Sequence, residues 1–157
     1  MNIVLLTVGR TDVKWVKEGL DLYASRLVHY APFSVNEIPE LKKVSALSRE
    51  QIKEKEGELI LKQLSPSDTL ILLDEHGKEF RSVEFADYIQ RQLTSGARSL
   101  VFAVGGAYGF SEAVYSRARG KISLSKMTFS HQMVRTVFAE QLYRAFTILK
   151  GEPYHHE

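Results

Sequence analysis

Apolar residues along this chain fall into two patterns: short unbroken runs, and longer stretches in which they recur every three or four positions. Three runs, Asn2 to Val8, Thr69 to Leu73 and Leu100 to Val104, are too short for helices and apolar on both sides. They predict strands buried on both faces, as in a parallel sheet. Phe33 to Ile38 alternates more weakly and is followed by Pro39, which places it near a sheet edge. The helical pattern appears four times. Val13, Val16, Leu20, Tyr23 and Leu27 form one stripe, capped by Thr11 or Asp12 and stopped by Tyr30-Ala-Pro32, with Trp15 off its centre. Ile52, Leu59, Ile60 and Leu64 form a narrow second one, opened by Ser48 and Gln51 at capping-box spacing and ending before Pro66. Phe85, Ala86, Ile89 and Leu93 stripe a helix from Ser82 to Ser95-Gly96. The last, from about Ser130 to Lys150, carries Val134, Val137, Phe138, Leu142, Ala145, Phe146 and Leu149 and stops at Gly151 and Pro153. That stripe is broader than one sheet face needs, which suggests a partner subunit.

Strand and helix segments in this order predict a three-layer α/β domain with a mostly parallel sheet. Ligands of such domains bind outside the carboxyl ends of the strands, where Gly9, Asp74 and Gly105 all fall. Asp74-Glu-His-Gly77 reads as a turn leading away from the third strand, and Glu40 to Leu47 as a polar loop. No linker, repeat or low-complexity tract interrupts the order, so residues 1–157 read as a single domain.

The stretch from Leu100 to His131 carries the strongest functional signal. A strand runs into Gly105-Gly-Ala-Tyr-Gly109, where glycines permit a sharp turn or close approach of a flat ligand. Ser111 caps the short helix that Glu112 opens. The loop spells neither G-x-G-x-x-G nor the G-K-[ST] phosphate loop, so alone it is no more than a tight strand-to-helix turn.

Its companion is Leu124-Ser-Lys-Met-Thr-Phe-Ser-His131, followed by Arg135, Glu140, Tyr143-Arg144-Ala-Phe146 and the tail Pro153-Tyr154-His155. Together with Val8-Gly9, Leu73-Asp74, Gly77-Lys78, and Gly105-Gly106 with Gly109, these residues resemble the signature of the RlmH family of SPOUT-class methyltransferases over the whole chain. The resemblance implies a C-terminal trefoil knot in the α/β fold, with S-adenosylmethionine as methyl donor. It also implies N3 methylation of a pseudouridine in helix 69 of 23S rRNA on assembled ribosomes, by a homodimer whose active site is completed by the partner's tail. Leu73, Gly105, Leu124, Ser125, Lys126, Met127, Thr128 and Phe129 would hold the donor, largely through main-chain atoms. His131 and Arg135 would meet the substrate, and Glu140, Arg144, Tyr154 and His155 would carry the chemistry.

Composition narrows the alternatives. The chain has no cysteine, which excludes thiolate catalysis and disulfides. The histidines at 29, 76, 131, 155 and 156 share no metal-ligand spacing, and no metal is expected. A serine elbow G-x-S-x-G is absent. No apolar run approaches the roughly twenty residues that span a bilayer, and the expectation is a cytoplasmic protein without a membrane partner. A net charge of +2 is too small for RNA binding by overall electrostatics, so any RNA contact must be local. Arg10, Lys14, Lys42, Lys43, Arg117, Arg119, Lys121, Arg135 and Arg144 are the cations available for it. The alternative reading is a flavodoxin-like nucleotide-binding or regulatory module without catalysis, and calorimetry with S-adenosylmethionine against mononucleotides separates the two. The tail follows the helix stop, so its loss is expected to take little buried surface from the core.

Overall fold

The computed structural model describes residues 1–157. Five strands form one sheet: β1 (Asn2–Val8), β2 (Phe33–Ile38), β3 (Asp68–Glu79), β4 (Ser99–Val104) and β5 (Gly120–Ser123). Their order is β2-β1-β4-β3-β5, and every neighbouring pair is parallel. The helices are α1 (Lys14–Leu27), α2 (Arg49–Lys62), α3 (Ser82–Leu93), α4 (Glu112–Arg117) and α5 (Met133–Leu149), with one 3-10 turn at Val44–Ala46. The unbroken apolar runs are the inner strands, and the Pro-terminated β2 is an edge.

Strand alternation divides the core into two layers. Ile3 and Leu5, Ile71, and Leu100 and Phe102 face one way, onto α1, α3 and α5. Leu6 and Val8, Leu70 and Leu72, and Val101 and Ala103 face the other, beneath Ile60 of α2 and Val114 of α4. Both faces of the sheet are therefore covered, which is why these strands read as continuous apolar runs rather than alternating ones. α5 lies against both α1 and α3. Its buried Phe138, Ala139, Leu142, Ala145 and Phe146 account for most of its broad stripe inside one chain, so that breadth is no longer an argument for a partner.

Local signals are realised at most helix ends. Ser48 and Gln51 make the full capping box, with Gln51 N–H donating to Ser48 Oγ at 3.1 Å and Ser48 N–H to Gln51 Oε1 at 2.8 Å. The Ser111 side chain caps α4, and Gly96 and Gly151 follow helices with φ of +83° and +69°. α1 is the exception. Neither Thr11 nor Asp12 caps it; its N-cap is Val13, which has no side chain for the purpose. The amides of Asp12 and Val13 instead donate to Gln132 Oε1 at 3.0 and 3.4 Å, so the cap comes from the far end of the chain.

β3 also differs from expectation. The strand does not end at Leu73: Asp74-Glu-His-Gly77 stays in it, and its pairing with β5 shifts register between Leu73 and Lys78. The short β5, Gly-Lys-Ile-Ser, pairs on both sides of that irregularity. Gly77 is needed at the crossing, because a β-carbon there would lie 2.6 Å from the amide nitrogen of Ile122. Only backbone atoms are in the way, and they cannot swing aside. Gly77→Ala is expected to lower the unfolding free energy by about 1–3 kcal/mol in urea titration; unchanged stability would show that the two strands are not in close register here.

Candidate functional site

A cleft of about 690 Å³ opens at the carboxyl ends of β3, β4 and β5, a size within the range of small-molecule sites. Leu73, Val104 and Ile122, one from each strand, form its apolar floor. Gly105 to Phe110 form one wall, and Leu124, Ser125 and Met127 to His131 another. Arg49, Glu50 and Lys53 of α2 stand at its side.

Two families of hydrogen bonds give the walls their shape. Ser123 Oγ donates to Ser125 O at 2.8 Å, Met127 N–H to Ser125 Oγ at 2.9 Å, and Thr128 Oγ1 to Glu75 Oε2 at 2.8 Å. On the floor, Tyr115 hydroxyl donates to Asp74 Oδ2, and Asp74 Oδ1 accepts the His76 amide at 2.8 Å. Burial, with the Asp74 hydrogen bond behind it, pushes the Tyr115 phenol up to about 12, so it stays a donor at neutral pH. The cleft thus combines apolar floor, main-chain edges and the carboxylates of Asp74, Glu75 and Glu50. That combination suits a flat heterocycle joined to a cationic group.

Residues expected at the donor are largely brought together. Leu73, Gly105, Leu124, Ser125, Met127, Thr128 and Phe129 all line the cleft; Lys126 does not, its Nζ lying 3.7 Å from Glu79 at the outer end of β3. Gly105 lines the cleft with its backbone and is tight against its own chain on the side where a side chain would point: a β-carbon would sit 3.2 Å from the Phe110 ring. Of the turn glycines, Gly109 takes positive φ, at +85°. His131 is exposed on the cleft wall. Arg135, expected at the substrate, has no exposed surface and is bonded to Val8 O, Gly9 O, Thr11 Oγ1 and His131 O. A phosphate or base cannot reach it. Arg117 is likewise spent on backbone, donating to Ser65 O at 3.0 Å and Asp68 O at 2.8 Å.

The four residues expected to carry chemistry form one cluster. Arg144 Nη2 meets Glu140 Oε2 at 3.1 Å, and Arg144 Nη1 lies 3.0 Å from His155 Nδ1. Tyr154 hydroxyl donates to Glu140 Oε2 at 3.0 Å and sits 3.4 Å from the Tyr23 hydroxyl, while the Arg144 guanidinium stacks 4.8 Å from the Tyr154 ring centre. Burial first, then these hydrogen bonds, raises the Tyr154 pKa, holding the phenol protonated. Since arginine only donates, the contact assigns His155 the tautomer with Nδ1 accepting and the proton on Nε2. That Nε2 is buried without a hydrogen-bond partner.

The tail is consequently no loose end. Tyr154 packs edge-on against Tyr143 with ring centres 4.7 Å apart, and its removal would expose part of α1 and α5 as well as dismantle the cluster. Tyr143 of the signature and Tyr23 also belong to this cluster; Tyr23 was not anticipated, because as a member of an apolar stripe it differs from a core residue only by the hydroxyl. None of the four lines the cleft. Along α5, Glu140 and Arg144 stand about 9 and about 15 Å beyond Val134 of the cleft wall at 1.5 Å per residue.

A half-buried carboxylate underlies the glycine turn. Glu56 of α2 presses its side chain toward Gly106, and its Oε1 has no partner. Burial, with Glu40 nearby, raises its pKa. An acid whose folded pKa is raised contributes most below its unfolded pKa, near 4.3, and that contribution is lost as pH rises through the folded value. Glu56→Gln is expected to raise the melting temperature at about pH 8 and to match the wild type near about pH 4 in scanning calorimetry. A variant less stable than wild type at the higher pH would mean that the carboxylate is paired.

Comparison with known proteins places the chain in a family. Residues 1–155 match the family described as "Predicted SPOUT methyltransferase". Proteins named ribosomal RNA large subunit methyltransferase H from Parabacteroides distasonis and from Flavobacterium johnsoniae are each 57% identical over 157 residues, covering 100% of this chain and of theirs. The crystal structure of the SpoU methyltransferase AviRb from Streptomyces viridochromogenes with AdoMet superposes with a TM-score of 0.44 at 12% identity, over 96% of this chain and 61% of that one.

Proposed function

The chain belongs to the SPOUT methyltransferase family, and on that premise we propose that it transfers a methyl group from S-adenosylmethionine to N3 of a pseudouridine in helix 69 of 23S rRNA, as a cytoplasmic homodimer acting on assembled ribosomes. The observation that carries this reading is that relatives named as large-subunit ribosomal RNA methyltransferases match the chain from end to end. Its own cleft also lies where a donor site should, at the carboxyl ends of parallel strands. The trefoil knot belongs to the same proposal. Its support is the path of the chain, which leaves β5 at one sheet edge and docks Gln132 and Arg135 beside β1, past β3 and β4.

Leu73, Gly105, Ser125 and Thr128 would hold the donor in the cleft, with Asp74 and Glu75 facing its cationic end. Bound there, S-adenosylmethionine supplies an electrophilic methyl group. The nucleophile is an imide nitrogen that must shed its proton as the new N–C bond forms. None of the clustered residues is free to take that proton: Glu140 is engaged by Arg144, Tyr154 and Gln141, and His155 Nε2 already carries one. The proton therefore leaves to solvent, and the partly exposed Arg144, its guanidinium oriented by His155 Nδ1 and Glu140, stabilises the anion that remains. Their distance from the cleft in one chain supports a composite site, the cluster of one protomer meeting the donor cleft of its partner.

The test is labelled-methyl incorporation into assembled ribosomes and into protein-free large-subunit RNA. Ribosomes are expected to be the better substrate, because a net charge of only +2 gives little overall attraction to bare RNA. His155→Ala is expected to lower the rate by about 100-fold, the scale of misplacing one reacting or stabilising group, with donor affinity retained. Mixing His155→Ala protein with Gly105→Val protein, impaired in the cleft, should restore activity that neither has alone. A monomer by light scattering that still methylates, or equal rates on ribosomes and bare RNA, would contradict the proposal.

A further inference from the structure

Arg135 is the largest fully buried side chain in the protein, and the cluster that the chemistry uses does not include it. Its guanidinium joins two segments far apart in sequence. Nη2 donates to Val8 O at 3.1 Å, and Nη1 to Gly9 O at 3.0 Å and Thr11 Oγ1 at 2.8 Å, all at the end of β1. Nε donates to His131 O at 2.9 Å, at the end of the cleft wall. Glu37 Oε2 lies 3.6 Å away, balances the buried charge, and accepts the Thr11 amide at 2.6 Å. One residue along, Gln132 ties down the same segment, donating to Arg10 O at 2.9 Å and accepting from Asp12 and Val13.

We infer that Arg135 is a positioning residue for donor binding, its fork fixing the Phe129 to His131 end of the cleft wall against the end of β1. The inference rests on the proposed donor cleft. The wall is already pinned at its start by Ser123 and Ser125 and in its middle by Thr128 on Glu75. His131 O is the third point, and Arg135 is what ties this carbonyl to the last carbonyls of β1, beside the Gln132 contacts to Arg10, Asp12 and Val13. The helix that carries Arg135 is anchored independently by Phe138, Leu142 and Phe146. Loss of the fork therefore loosens the end of the wall while leaving α5 docked and Gln132 in place. An ammonium cannot replace the fork, because its compact charge does not span acceptors on two sides of a plane.

The experiment uses full-length protein. Arg135→Lys keeps the charge opposite Glu37; Arg135→Ala leaves a cavity lined by the orphaned carbonyls. Calorimetric titration with S-adenosylmethionine well below the melting temperature is expected to show about a tenfold weaker Kd for Arg135→Lys, as for loss of one charge-assisted bond. On ribosomes, KM for the donor should rise while kcat at saturating donor stays near wild type. Millimolar guanidinium should restore much of the donor affinity of Arg135→Ala, which a general loss of stability would not allow. Unchanged Kd in both folded variants overturns the inference, as does unfolding of both at the assay temperature, which would make the side chain structural alone. Wild-type protein that binds no S-adenosylmethionine overturns the proposed function along with it.

Discussion

A parallel sheet covered on both faces has one unavoidable debt: its strands all stop at the same edge, with carbonyl and amide groups that no neighbouring strand can satisfy. Here Arg135 takes the last carbonyls of β1, and Gln132 takes the carbonyl of Arg10 with the two amides that start α1. At the opposite edge, Arg117 takes the carbonyls of Ser65 and Asp68 at the entry to β3. In each case the partner comes from late in the sequence, so the C-terminal third of the chain completes the N-terminal half. The cleft is the part of the carboxyl edge that is walled but not filled by such side chains.

This arrangement explains what the sequence could and could not say. The inner strands, the edge position of β2, the Ser48–Gln51 capping box and the helix stops were legible because each depends on residues within a few positions of one another. The cap of α1 was not, since Gln132 supplies it from 120 residues away. β5 was missed because four residues, Gly-Lys-Ile-Ser, show neither alternation nor an apolar run, and β3 was cut short because Asp74-Glu-His-Gly77 has turn composition yet lies within the strand, as the irregular stretch between its two pairings with β5. In the site, the donor residues came from a signature, and the structure gathers nearly all of them on one cleft. Arg135 was placed with the substrate because burial of an arginine is rare and leaves no trace in sequence.

Charge shows the same division. Among the cations open to RNA on sequence grounds, Arg117, Arg135 and Arg144 are engaged within the protein, by backbone carbonyls in two cases and by Glu140 and His155 in the third. With 21 lysines and arginines against 19 aspartates and glutamates, the exposed cations are nearly balanced by carboxylates, and phosphate attraction has little overall to offer. Recognition then has to come from shape and from a substrate already held in place.

The tail fits that requirement better than a flexible arm would. Tyr154 is held by Tyr23, Tyr143 and Glu140, and His155 by Arg144, so the cluster is set before any substrate arrives. A preset donor group costs no reorganisation when charge develops beside it. The same contacts keep the cluster away from the cleft of its own chain. In the proposed function, a rigid cluster and a rigid cleft set apart in one small domain act on a single nucleobase only when a second copy brings them together, which makes dimerisation part of that proposal rather than an addition to it.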